Sequence, residues 1–182
     1  TWLIDRGIEV VPPLMTDFFM QSFVNMKVNQ DSHIKKKYIP DFAIDWLYGK
    51  VQKQIDKINK IGKAFLYFQP FENIYEKAEK AKQVISLNTQ FGEGWLIAGE
   101  MSSFASQGIN HVISLQPFGC IANHIVEKGI EKRIKSVYPQ INILSLDLEK
   151  NHSSWQNGDN EKEYEIYIKS KISTFNKRIE FN

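Results

Sequence analysis

"NHVISLQPFGCIANHIVEKGIEKRIKSVYPQINILSLDLE", residues 110–149, carries two apolar runs on either side of an amphipathic one. It opens on a β-branched apolar run, Val112 to Leu115, that stops at Pro117, and it closes on a second such run, "INILSLDLE". Between them "CIANHIVEKGIEKRIKSVY" carries apolar residues at helical spacing and ends at Pro139. Strand, helix and strand within about 40 residues need a crossover connection, which makes the strands parallel neighbours in a right-handed unit. The expected fold is therefore α/β: a three-layer sandwich with a short, mainly parallel sheet of the Rossmann or flavodoxin kind, in a single domain over residues 1–182.

The bulk numbers agree with one domain. A chain of 182 residues that is 42% hydrophobic is long enough for one well-buried core. Its net charge of +2 is spread without pattern and gives no reason to expect nucleic acid or an anionic membrane as partner. The single cysteine excludes an internal disulfide framework and equally a self-contained Cys₄ metal or iron–sulfur site. The apolar runs are too short to span a bilayer and no signal-like segment opens the chain, so a cytoplasmic location is expected. The opening "TWLIDRG", without an initiator methionine, reads as the inside of a longer polypeptide of which this is the carboxy-terminal part.

Working outward toward the amino end, "FGEGWLIAGEMSSFASQG", residues 91–108, is a glycine-punctuated loop feeding a helix whose apolar positions are Trp95, Leu96, Ala98, Met101 and Phe104, closed by Gly108. "ENIYEKAEKAKQVISLN", residues 72–88, reads as an amphipathic helix with Ile74, Ala78, Ala81, Val84 and Ile85 inward. VISL occurs at 84–87 and again at 112–115; the first copy continues a helical period, the second is a strand, and no internal repeat is inferred. A helix from Asp41 to Ile61 starts at Pro40, ends at Gly62 and carries a stripe of Ile44, Leu47, Tyr48, Val51, Ile55 and Ile58. The run Lys35 to Lys37 is read as a solvated basic patch. "GIEVVPP", residues 7–13, has the signature of a short buried strand, followed by a helix with Phe18, Phe19, Phe23 and Met26 on its apolar face. At the other end, a polar loop over residues 149–158 leads to a helix from about Asp159 that packs through Tyr164, Ile168, Ile172 and Phe175. Loops at the carboxyl ends of parallel strands are where ligands collect.

Cys120 follows the first strand through the bend Gln116-Pro117-Phe118-Gly119 and stands at the first turn of the next helix. Unpaired backbone N–H groups and the helix dipole there favour a thiolate, suited to metal ligation or nucleophilic attack. The other reading is a buried structural cysteine. His124, four residues on, lies on the same helical face, but no third orienting group or oxyanion site accompanies the pair. "FGEGW" could turn backbone amides toward an anion, yet it is neither a Walker loop nor a Rossmann fingerprint. The alternative is a helix start needing positive φ.

Taken together, "FGEGWLIAGEM" at 91–101 and "VISLQPFGCIANHIVEKGIEKRIKSVYPQINILSLDLE" at 112–149 resemble the carboxy-terminal portion of acyl-CoA dehydratase activase-related proteins. "EVVPPLMTDFF" near the start is similar to a strand-to-helix turn of the same region. These are large chains of anaerobes that join an ATPase activator module to a region similar to the 2-hydroxyacyl-CoA dehydratase cluster-binding subunit. The resemblance implies that Cys120 helps to bind a [4Fe–4S] iron–sulfur cluster in a cleft lined by Gly92, Glu93, Gly94, Gln116, Pro117, Phe118, Gly119, Asn123 and His124. It implies ATP-driven low-potential electron transfer, with the upstream activator module, and in one reading a second copy of the chain, as partners. None of the activator's ATP-binding motifs occurs in these residues, and the other cluster cysteines would lie outside them. The loop "NGDNEKEYE" also departs from the family's tail. The competing expectation is a non-catalytic docking or dimerisation domain in which Cys120 is structural.

Overall fold

The structure is a computed structural model that describes residues 3–32, 39–66, 68–117 and 119–147. Phe118, the basic run Lys35 to Lys37, the loop 151–160 and the terminal helix expected from Asp159 lie outside the described residues. After a single 3₁₀ turn at Ile4–Arg6, the described elements run α1 (Met15–Asp31), α2 (Asp41–Gly62), α3 (Ile74–Lys82), α4 (Gly94–Ser106), β1 (His111–Gln116), a π-helical turn (Ala122–Glu127), α5 (Lys128–Val137) and β2 (Asn142–Asp147). The molecule is a mixed helical fold around a short parallel pair.

β1 and β2 are parallel, as the β-α-β order requires, with Ser114 opposite Ser145 and Leu115 opposite Leu146. Among the described residues they form a two-stranded sheet. "GIEVVPP" does not join it: residues 8–14 carry no secondary structure, and their backbone makes no ladder bond to β1. Pro12 and Pro13 have no N–H to donate, and strand-like composition alone supplies no partner edge.

The helices build the larger part of the core. Small residues let α3 and α4 approach closely: Ala78, Ala81 and Ala98 are buried between them, and a Cβ on Gly99 would come 3.0 Å from Lys77 Cγ. Trp95 is fully buried and its Nε1 donates to Asn25 Oδ1 at 2.7 Å, tying α4 to α1. Met20, Val24, Ile55, Ile74 and Leu96 complete this cluster, and Val126 and Ile130 bring in the crossover helix. A smaller cluster, Met101, Ala105, Ile134 and Ile141, seats α4 and α5 beside the sheet.

Three local expectations are corrected. α1 does not turn Phe18 and Phe19 inward; they stack edge to face on each other at 5.6 Å, 42% and 65% exposed. Its buried positions are Asp17, Met20, Gln21 and Val24, the orientation in which Asp17 meets Lys77 of α3 in a buried ion pair. α3 stops at Lys82, where the N–H groups of Val84 and Ile85 both donate to Ala81 O, so the first VISL is a turn and the second is β1. On α2, Ile44 and Ile55 are buried but Leu47 and Ile58 are largely exposed, so the inward stripe is narrower than the six expected positions.

Candidate functional site

β1 leaves the sheet through Pro117 into a tight bend. The N–H of Cys120 donates to Pro117 O at 3.2 Å and Gly119 sits at φ 72°, a left-handed conformation that glycine takes without strain. Cys120 O then accepts the His124 N–H at 2.8 Å, opening the helix. The cysteine therefore stands where a strand ends and a helix begins, half-buried and without a disulfide partner.

Its thiol donates to Asn123 Oδ1 at 3.2 Å, and Asn123 Nδ2 donates to Leu115 O at 2.9 Å. Asn123 thus clamps the thiol to the last turn of the strand. The Gly92 turn lies against the same helix start: a Cβ on Gly92, which sits at φ 59°, would come 3.5 Å from Ala122 Cβ. Gly94 is tighter still, since a Cβ there would fall 2.2 Å from Thr89 O. Glu93 is half-buried, and its carbonyl accepts the N–H groups of Leu96 and Ile97. Gly92, Glu93 and Gly94 therefore start α4 and bring their turn against the helix that Cys120 begins. Asn123 and His124 lie in that helix, and Pro117 and Gly119 are exposed in the bend.

Gln116 has a different place. It is fully buried, and its Nε2 donates to Glu127 Oε2 at 2.6 Å. Glu127, 1% exposed, also accepts Ser114 Oγ at 2.6 Å and Ser145 Oγ at 3.3 Å. A carboxylate at the end of the π turn is thereby bonded to facing positions of both strands. Helices with one extra residue per turn are rare and concentrate at functional sites; here the turn separates the Cys120 bend from the carboxylate that rivets the crossover to the sheet. Glu127 was not singled out from the sequence. The signal was available: "HVISLQ" and "NILSLD" each place a serine at the same position of an apolar strand, and hydroxyls facing each other on a covered sheet call for a polar partner.

A cavity of about 910 Å³ opens on the other side of β1. It is bounded by the segment Ile8 to Pro13, by α4 through Ile97, Met101 and Phe104, and by His111 to Leu115 of β1. Five consecutive strand residues alternate faces, so a cavity touched by all of them runs along the strand's edge. β2 occupies one edge of β1, which makes this the other. Glu100 projects from α4 into the wall, where burial pushes its carboxyl up to about 7; Asp17 and Glu93 add to the rise and Lys77 opposes it. Asn123, the partner of the Cys120 thiol, lines the same cavity.

Among the described residues no group of three His, Cys, Asp or Glu side chains comes together as a metal site, and no helix is long and apolar enough to cross a membrane. Comparison of the chain with protein-family models, with curated proteins and with solved structures finds no match.

Proposed function

We propose that the turn at the carboxyl end of β1 is one side of a ligand site, and that the ligand, in a chain of the activase-related kind, is an iron–sulfur cluster to which Cys120 gives one thiolate. The observation that supports this is the placement of Cys120: a half-buried thiol at a strand-to-helix turn, oriented by Asn123, with the Gly92 turn against the same helix. A cubane cluster takes about four thiolate ligands, and the described residues offer this thiol alone, so they do not fit a complete cluster. The remaining thiolates belong to other parts of the polypeptide or to a second copy. In this reading the parent protein is cytoplasmic, receives low-potential electrons from an ATP-hydrolysing activator module, and has the three-layer sandwich whose further strands extend the β1–β2 pair.

A second reading is a docking domain with a structural cysteine. The exposure of Leu115, Ile121 and Ile125, at 52%, 50% and 66%, favours it, because three large apolar side chains flank the bend in the open. Iron separates the two. The longest natural polypeptide containing these residues, purified without oxygen, is expected to hold iron and sulfide, and Cys120→Ser is expected to lower both; an unchanged iron content in the variant removes Cys120 from the ligand set. The 182-residue chain alone is expected to bind little or no iron.

A further inference from the structure

The cavity beside β1 has the size of a small-molecule site, and of the residues that hold Cys120 it touches Leu115 and Asn123. Pockets that enclose small ligands run from about 300 to 1,000 Å³ and are apolar with a few fixed polar groups; this one, at about 910 Å³, has Ile97, Met101, Phe104 and Val112 for walls. The charged and titratable groups on its lining are Glu9, Glu100 and His111, and no lysine or arginine is among the described lining residues. Among the described lining residues an anionic ligand would meet two carboxyl groups and no lysine or arginine. A cation with an apolar body meets the reverse.

We propose that this cavity binds a small amphiphilic amine, its ammonium seated at Glu100 and its apolar body along α4 and the edge of β1 away from β2. The burial of Glu100 in the cavity wall supports that seat. Lys77 of α3, paired with Asp17 of α1, is the nearby cation and favours the ionised form of Glu100, while Asp17 opposes it. Glu93, just before α4, adds a further negative charge. An ionised Glu100 stands buried in the cavity wall with little water around it, the situation in which a ligand cation gains most. Among the described residues the edge of β1 away from β2 has no strand partner, and backbone carbonyls there can accept from an ammonium.

The test uses the whole 182-residue chain and three probes of one shape: phenethylamine, phenethyl alcohol and hydrocinnamate, followed by calorimetry and ligand-observed NMR. At pH 8 the amine is expected to bind about tenfold tighter than the alcohol, with hydrocinnamate weakest. Glu100 must give up its proton to receive the ammonium, so amine affinity is expected to fall about tenfold from pH 8 to pH 6, where a group titrating near 7 is mostly protonated. Glu100→Gln is expected to abolish both the preference and the pH dependence. His111 and Glu9 are untouched in that variant, so a pH dependence that survives in it overturns the assignment to Glu100. Equal binding of amine and alcohol at pH 8, or no binding of any probe, overturns the proposal as a whole. Magnetisation transfer between the probe's aromatic protons and the Met101 methyl is expected in the unsubstituted chain, and its absence is equally decisive whether or not Glu100→Gln folds. Iron content does not enter these measurements, so their failure leaves the cluster reading where it stands.

Discussion

Glu127 joins more of the sheet than any other described side chain: Ser114 and Gln116 from β1 and Ser145 from β2 all donate to its carboxylate. Removing a buried acceptor leaves each donor with its desolvation cost, about 1–3 kcal/mol apiece. Glu127→Ala is accordingly expected to destabilise the chain by about 3 kcal/mol or more in urea titration, and Glu127→Gln, which keeps shape and one acceptor oxygen, by about 1–2 kcal/mol. Equal small losses for both variants would show that the carboxylate does not hold the crossover. The prominence of Cys120 was legible in the sequence, because its position between a proline-ended strand and a helical run follows from local order. Asn123 as the thiol's partner was not, since a three-residue spacing does not say which of two neighbours, Asn123 or His124, a π turn will bring round.

At the scale of elements, the bend after β1 rests on Gly119. Its φ of 72° is left-handed, and a Cβ there would meet nothing within 4 Å, so substitution costs conformation and not space. Gly119→Ala is expected to lower stability by about 1–2 kcal/mol and Gly119→Asn by less, because asparagine tolerates this region better. Gly94→Ala, with Thr89 O at 2.2 Å, is expected to cost more than either, and thermal unfolding of the three variants gives the ranking. The parallel pair and the limits of α2 were readable because their signals are local: proline, glycine and period. Residues 7–13 and the inward face of α1 were not. A strand exists only where an edge accepts it, and α1 has apolar residues around most of its girth, so the ion pair of Asp17 with Lys77, sixty positions away, decides which side is buried.

For the whole molecule, the burial that shapes the cavity also sets how stability follows pH. Glu100 has a carboxyl raised from 4.5 to about 7, so the folded chain holds that proton more tightly than the unfolded one. Its contribution is fully present below about 4.5 and is lost as pH rises through about 7, to the extent of about 3 kcal/mol for a shift of this size. Glu72 acts in the opposite sense: burial pushes its carboxyl up, but Lys80 and Ser103 outweigh burial and hold it below 4.5, so its contribution is present above that value and fades as pH falls. The two together place greatest stability in mildly acidic solution and predict weakening toward neutrality from Glu100. Glu100→Gln carries no charge at any pH and removes that slope. Relative to the unsubstituted chain, the variant is expected to gain nothing near pH 4 and up to about 3 kcal/mol near pH 8. Melting temperatures across that range decide it: parallel curves for the two proteins mean that Glu100 keeps its ordinary affinity for a proton, whereas divergence above pH 6 places the titrating carboxyl in the wall of the cavity.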